Sequence, residues 1–445
     1  MKKNKKILIG TLILISLLII LPFFIPIKTY LTAAEKQASD KLGMPVTISS
    51  GHVVLLPSPR VVINGVAVGE GDALKISQIT VIPALSTIFS ALKVVDIDIH
   101  EPTIKKSALD IMMALVDGTK AEANTEANMV NVRDISIHGL LLDWPGLSLP
   151  ALNIEASLLD GQRLNSVLIE SVDDTIRATV LPDNASHLIS IQFKKWTFPI
   201  GLPVLIDQAQ VEMRLKNDGL EAPHIEMDLY GGKLTANLNL DWHKGWHTKG
   251  KIKVVGLSVK APSRLISNSV YLSGQLAGNG HFSSVGKDLD KLLDNINASF
   301  TFNVQDGVVH GVDLIKVASL LTKQTTGGET AFDDFSGVAN MKGRAYHLKD
   351  LKLSSGLLTG SGQVEITANK QLDGSGEVAI KHSVSLVAVP LDISGTLDTP
   401  IILPSKAAVA GAVAGTAILG PGIGTSLGIK AAGAVDKLKG LFNND

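Results

Sequence analysis

Regular alternation of apolar and polar residues is the feature that most limits what this chain can fold into. It runs through residues 129–404, and successive residues of a β-strand point to opposite faces of a sheet. The pattern indicates an antiparallel sheet with one apolar and one polar face, because parallel strands buried on both sides are apolar throughout. We therefore expect a mainly β fold with minor α content.

Turn and helix signals divide this region. Hairpins are predicted at Asn217-Asp218-Gly219, Gly231-Gly232 and Asp373-Gly374. Short helices are predicted at 287–296 and 314–321. The tail, 405–445, is rich in Ala and Gly and has no charge between Lys406 and Lys430. It could contact a second membrane or a partner through small-residue helices, close the sheet end as a helix pair, or be disordered; its glycines favour the last two alternatives.

Overall composition excludes several classes of function. The formal net charge is -1, with 41 Lys and Arg against 42 Asp and Glu, so no field attracts nucleic acid. The chain has no cysteine, which excludes disulfides, thiolate catalysis and cysteine-bound zinc. A body of this length can bury enough apolar surface without disulfides, so export remains compatible with this composition.

An uncharged segment at 7–27 is long enough to cross a bilayer as a helix, which needs about 20 residues. Lysines at positions 2, 3, 5 and 6 precede it, so the positive-inside rule predicts a cytoplasmic tip at 1–6 and export of everything that follows. The alternative is a cleaved signal peptide, whose apolar part is usually about 7–15 residues long. The length therefore favours a retained, single-pass anchor.

The region 28–127 is predicted as a separate N-terminal domain. A stalk helix at 30–42 ends at Gly43 and Pro45, as helix stop signals do. Extended segments follow at 46–48, 60–68, 73–81 and 94–99, with helices at 83–92 and 107–116. A polar, Ala- and Asn-rich linker at 117–128 separates this domain from the body at 128–404.

No catalytic or metal-binding motif of the sequence has the context that its chemistry requires. His243 and His247 have a helical metal-site spacing, but they flank Gly245 in a turn context. The GTSLG sequence at 424–428 resembles a nucleophile elbow, but no histidine follows it. Neighbouring carboxylates such as Asp333 and Asp334 are typical of solvent-facing charges. We therefore expect no enzyme activity, no catalytic residue, no metal site and no cofactor.

Several short segments, taken in order, resemble the AsmA family of bacterial envelope proteins. They are the lysine-flanked anchor, Leu42-Gly43-Met44-Pro45-Val46, Leu55-Leu56-Pro57-Ser58-Pro59-Arg60, Ile63-Asn64-Gly65-Val66-Ala67-Val68-Gly69, the stretch 96–104 with Glu101-Pro102, the DGVVHGVDL sequence at 306–314, Leu358-Thr359-Gly360-Ser361-Gly362-Gln363-Val364 and the ISGTLDTP sequence at 393–400. The middle region, 129–257, resembles the family only in its general strand pattern and not in specific motifs.

This resemblance implies a fold related to chorein-type bridge-like lipid transfer proteins. It predicts a chorein-like N-terminal element and a long bent β-groove with an AsmA-like C-terminal region, anchored in the inner membrane with the body in the periplasm. The implied role is outer-membrane biogenesis with phospholipid as ligand and outer-membrane or periplasmic proteins as further partners. The lipid-facing candidates are Leu234, Leu238, Leu240, Phe300, Phe302, Leu351, Leu353, Val364 and Ile366.

Alternation alone leaves the state of the apolar face open. These side chains could pack against a second sheet as a sandwich core, or they could stay partly open as a channel for acyl chains. The residues alone favour the closed core, whereas the family resemblance favours the open groove. A closed core would instead suit a periplasmic scaffold or assembly factor that binds proteins through sheet edges.

Overall fold

The computed structural model describes residues 27–84, 93–108, 130–146, 148–160, 163–198, 203–287, 289–319, 327–381, 387–419, 426 and 429–430. Contacts divide the chain into an N-terminal unit, Met1–Pro203, and a C-terminal unit, Val204–Asp445. Both units are built mainly from β-strands, which confirms the predicted fold class.

The N-terminal unit begins with one helix and continues as sheet. The helix α1 (Ile27–Leu42) is followed by β1 (Val46–Val54), β2 (Arg60–Val68), β3 (Leu74–Pro83), β4 (Lys93–His100), β5 (Thr103–Lys105), β6 (Val130–Asp143), β7 (Leu152–Leu159), β8 (Arg163–Ser171), β9 (Ile176–Asp183) and β10 (Ser186–Thr197). The stalk helix and the first four predicted strands are thereby confirmed, with ends displaced by a few residues. Of the two predicted helices, 83–92 begins inside β3, and most of both lies outside the described residues.

Strand pairing in this unit departs from the prediction at one place. Neighbouring strands pair antiparallel, β3 with both β4 and β5, but β6 runs parallel to both β4 and β5. Parallel neighbours need a crossover of a dozen or more residues, and the connection through 106–129 is long enough. The sheet therefore continues across the predicted domain boundary at 127–128.

Helix α1 packs against strand β1 at one end of this sheet. Ala38 and Leu42 of the helix contact the buried cluster of Val46, Val66 and Val68. The amphipathic pattern of the helix thus buries one face on the sheet.

The C-terminal unit is one antiparallel meander with short helices at its connections. Its elements are β11 (Leu205–Lys216), β12 (Gly219–Leu229), β13 (Gly232–Asp241), β14 (Trp246–Ser258), α2 (Lys260–Ile266), β15 (Tyr271–Gly286), α3 (Leu289–Asp294), β16 (Asn297–His310), α4 (Leu314–Ala318), β17 (Glu329–Lys342), β18 (Ala345–Ser354), β19 (Leu358–Ile366), β20 (Leu372–Ile380), β21 (Val387–Gly395), β22 (Pro400–Pro404) and α5 (Lys406–Leu419). Each strand pairs with the next one along the chain.

Most predicted turns and helices of this unit are confirmed. The hairpins near residues 217–219 and 231–232 form, and α3 and α4 fall within the predicted helices. The predicted turn at Asp373-Gly374 is wrong, because both residues pair within β20 and the chain reverses at 367–371, where Lys370 has a φ of 61°. Helix α2 was not predicted. Helix α5 forms the start of the tail.

The predicted anchor, 7–27, lies outside the described residues except for Ile27, the first residue of α1. None of the helices that the structure describes is both long and apolar enough to cross a bilayer.

Candidate functional site

A row of isoleucines crosses the sheet of the N-terminal unit from β2 to β10. Strand register aligns these residues side by side, with one alanine among them: Ile63, Ile79, Ile99, Ile137, Ile154, Ile169, Ala178 and Ile191. A second row, two residues along each strand on the same face, consists of Val61, Val81, Ile97, Ile135, Ala156, Val167, Val180 and Ile189. We call this surface the N-terminal apolar face.

Burial shows how completely this face is covered. Every residue of both rows is half-buried except Ala178, which is buried. Side chains at the centre of a closed sandwich are fully buried, since the opposing layer excludes water from both rows. The N-terminal apolar face is therefore only partly covered.

The C-terminal unit carries a comparable surface, and it contains all nine predicted lipid-facing residues. Leu238, for example, stands opposite Gly250, which stands opposite Phe282 in the next strand. Phe302 follows from Leu234 through Val254 and Gly278, and Val364 and Ile366 pair with Leu348 and Tyr346. We call this surface the C-terminal apolar face.

Phenylalanine rings on this face lie flat over glycines of the adjacent strand. A Cβ atom added at Gly250 would lie 2.5 Å from Cζ of Phe282, and one at Gly278 would lie 2.7 Å from Cζ of Phe300. Only glycine leaves room for a ring in that position. The aromatic residues thus form a low floor instead of projecting from the sheet.

Coverage of the C-terminal apolar face varies along the sheet. Leu353 is only 8% exposed and belongs to a core cluster with Val304 and Leu358. The other eight predicted residues are half-buried, and Leu234, Phe300 and Phe302 among them pack against that cluster. At strands β20 to β22, the helices α4 and α5 bury the face through residues such as Ala408 and Ala412. This packing agrees with the alternative in which the tail closes one end of the sheet.

Comparison with protein families matches residues 155–349 to the AsmA family. That region belongs to the AsmA family. The resemblance read from the sequence is thereby confirmed, although of the quoted motifs only the segment 306–314 lies inside the matched range. Comparison with curated protein sequences gives no match.

The AsmA region extends from β7 into β18 and so includes strands of both units. It contains five of the predicted lipid-facing residues: Leu234, Leu238, Leu240, Phe300 and Phe302. It also contains seven of the sixteen residues of the N-terminal apolar rows, which were not among the predicted lipid-facing residues. The match of this region indicates an envelope or lipid-related role.

Two cavities lie along the sheet of the C-terminal unit. One, of about 490 Å³, is lined by residues of β15 to β19, most of them polar, such as His281, Asn340 and His347. The other, of about 1100 Å³, lies across β18 to β21 and includes Lys352 and Glu377. Both cavities also reach residues of the C-terminal apolar face, since Ile366 lines the first and Leu351 lines the second.

Exposed ion pairs lie on the polar surface of both units. Hydrogen bonds from Lys233 and then His224 lower the pKa of Glu226, and the carboxylate of Glu226 in turn raises the pKa of Lys233. In the N-terminal unit, a hydrogen bond to Asp96 raises the pKa of Arg133, which lies 2.5 Å from that carboxylate. These exposed pairs connect neighbouring strands and contribute little stability individually.

One arrangement resembles a catalytic triad. Ser273 Oγ lies 3.0 Å from His310 Nε2, and Glu329 Oε1 lies 2.8 Å from His310 Nδ1. The imidazole stacks on Tyr271, with ring centroids 4.3 Å apart, and the three residues stand on adjacent strands of the polar face. Ser273 lines neither of the two cavities described above, so we interpret the group as a tie between three strands.

Metal ligation has no candidate among the residues that the structure covers, since they include no group of three or more potential ligands. His243 and His247 are exposed at the β13–β14 hairpin, as expected for a solvated tip.

Proposed function

We propose that this AsmA family protein binds phospholipid acyl chains on its two apolar faces and acts in outer-membrane biogenesis from an inner-membrane anchor. The observation that carries the proposal is the half-buried state of both apolar rows in the N-terminal unit and of most candidates in the C-terminal unit. Such extended apolar surface is unusual on a protein with no bound partner.

The dimensions of the rows suit an acyl chain. Eight strands give seven spacings of about 4.8 Å, so each N-terminal row is about 34 Å long. The hydrocarbon core of a bilayer is about 30 Å thick, so an acyl chain from one leaflet is about 15 Å long and fits within one row. Each methylene that moves from water onto the face gains up to about 0.8 kcal/mol. Binding by burial alone requires no covalent catalysis, in keeping with the expectation of no enzyme activity.

The alternative is a periplasmic scaffold with a closed core. The packing of α4 and α5 over strands β20 to β22 favours it for that end of the sheet. The half-buried isoleucine row favours lipid binding, because a scaffold gains nothing from an incompletely covered apolar face.

Photo-crosslinking in cells distinguishes these functions. A photoreactive residue at Leu238 or Phe302 is expected to recover phospholipid adducts. The matched controls are the adjacent, exposed polar-face positions Asn237 and Thr301. If positions 238 and 302 give only protein adducts, or no adducts while the controls label, the scaffold function is correct and lipid binding is not.

A further inference from the structure

Three lysines follow one another on the polar face of strand β14. Lys249, Lys251 and Lys253 are exposed, and among the residues that the structure describes none has a carboxylate within ion-pair distance. Alternate residues of a strand are about 6.8 Å apart, so the three ammonium groups form a line of mutually repelling charges. We call these three residues the lysine strip.

The neighbours of the lysine strip do not neutralise it. Register places each lysine between two uncharged or imidazole side chains: Thr235 and Asn279 beside Lys253, Asn237 and His281 beside Lys251, and Asn239 and Ser283 beside Lys249. By contrast, Lys233 on the next strand pairs with Glu226 and Asp228. The sheet thus neutralises a nearby lysine but leaves the strip free for an external anion.

The cavity of about 490 Å³ begins on β15, the strand next to the strip. His281 and Ser283 flank the strip and also line that cavity, together with hydrogen-bonding side chains such as Ser299, Asn340 and Lys342. Ammonium, amide and hydroxyl groups are the donors that phosphate oxygens accept from in proteins. The cavity is large enough for a polar group attached to the phosphate.

From this arrangement we propose a second binding site on the polar face, for a phosphate ester with a hydroxylated head. The lysine strip contacts the phosphate, and the adjoining cavity receives the head. The chemistry is shared by phospholipid headgroups and free phosphate esters. The lysine strip lies on the face opposite the acyl-binding surface, so the phosphate site goes beyond the proposed function and can fail independently of it.

The test uses the full chain and measures binding of glycerol 3-phosphate and, separately, of phosphatidylglycerol vesicles against phosphatidylcholine vesicles. The variant is Lys249→Gln/Lys251→Gln/Lys253→Gln. The control, Lys194→Gln/Lys260→Gln/Lys349→Gln, removes the same charge from exposed positions elsewhere. We expect the strip variant to lose at least about tenfold in affinity and the control to bind nearly as the parent does.

The two probes identify the source of the phosphate. Binding of glycerol 3-phosphate that depends on the strip indicates a soluble ester, whereas strip-dependent binding of phosphatidylglycerol vesicles alone indicates a lipid headgroup. Ser299→Tyr, which fills the cavity without changing charge, should weaken glycerol 3-phosphate binding more than binding of inorganic phosphate. Absence of binding by the parent to either phosphate source, or equal losses in the strip and control variants, would overturn the proposal.

Discussion

At the scale of single residues, the contact between glycine and phenylalanine fixes the shape of the C-terminal apolar face. Gly250 has two close neighbours: its added Cβ would lie 2.3 Å from the carbonyl oxygen of Asn237 and 2.5 Å from Phe282 Cζ. Neither neighbour can move without disturbing the sheet or the ring. The glycine is therefore required by close approach and not by its backbone angles.

Gly250→Ala is expected to destabilise the protein by about 1–3 kcal/mol, the usual cost of overpacking. Gly356→Ala is the matched control, because an added Cβ there meets nothing within 4 Å and its φ is not positive. Thermal unfolding of both variants tests the prediction. Equal melting temperatures for the two would show that the ring and strand adapt freely.

Asp313 caps helix α4, and its ionisation should make stability depend on pH. Its side chain accepts from the Lys316 backbone nitrogen at 3.0 Å and lies 3.1 Å from the Lys316 ammonium. Burial raises the pKa of Asp313, but the bonds and charge from Lys316 outweigh burial and lower it below the ordinary 3.8. A lowered carboxyl pKa contributes stability that is present above about pH 4 and is lost as pH falls through the folded-state value.

Asp313→Ala is expected to cost about 1 kcal/mol at pH 7 through loss of the cap. Asp313→Asn keeps a capping oxygen and should cost less. The difference between the parent and Asp313→Asn should be constant from pH 5 to 8 and shrink below about pH 4, as urea unfolding at each pH would measure. A difference that grows in acid would contradict the assigned sign.

Individual residues also show what the sequence could predict of the site. The nine candidates share a face because parity along a strand decides orientation, and parity is visible in the sequence. The degree to which each side chain is covered cannot be seen in the sequence. Leu353 and Leu351 have the same place in the alternation, but only Leu353 is buried. The isoleucine row was missed because its register depends on the partners of β4 and β6, which are distant in the chain.

At the scale of elements, the outer strands are protected against further pairing. The Val46 amide donates to Ser39 Oγ at 2.9 Å and the Ile48 amide donates to Glu35 Oε1 at 2.6 Å, so α1 occupies hydrogen-bonding groups of β1 that face away from β2. On β22, register and the bond from the Ser405 amide to Pro390 place Pro400 and Pro404 at positions whose nitrogens face away from β21. Proline has no N–H, so it blunts such an edge.

Removing both side-chain caps should expose strand β1. Glu35→Ala/Ser39→Ala is expected to speed hydrogen exchange in the segment 46–54 and to increase association between molecules, since freed edge amides seek new partners. Thr32→Ala/Lys36→Ala changes exposed positions of the same helix and serves as the control. Unchanged exchange in the double variant, measured by mass spectrometry, would mean that packing of α1 alone protects the strand.

Elements were predicted well where their signals are local. The stalk helix and strand β2 follow from apolar periodicity and from glycine or proline at their ends. The turn at Asp373-Gly374 failed because Gly374 serves the sheet instead: an added Cβ would lie 2.5 Å from the Gln363 oxygen of the neighbouring strand. Parallel pairing of β6 could not be predicted, because it depends on a crossover and not on any residue within the strand.

At the scale of the whole molecule, each unit has its own apolar face with a polar face behind it. Neighbouring residues on one strand therefore belong to opposite surfaces: Ile137 to the apolar row and His138 to the polar side, as Phe302 and Thr301 do in the other unit. Each lysine substitution on an apolar face therefore has a control at the adjacent residue of the same strand, where lysine is introduced on the polar face instead.

We expect Ile137→Lys to reduce lipid recovered by a photoreactive residue at Ile154, which stands opposite it, but not at Leu238 in the C-terminal unit. Phe302→Lys should have the converse effect. A lysine on either face must lose hydration beneath an acyl chain, which lowers binding by about tenfold or more. His138→Lys and Thr301→Lys should leave both signals intact. If Ile137→Lys abolishes both signals with the fold preserved, the faces do not bind independently; if it changes neither, acyl chains do not lie on the isoleucine row.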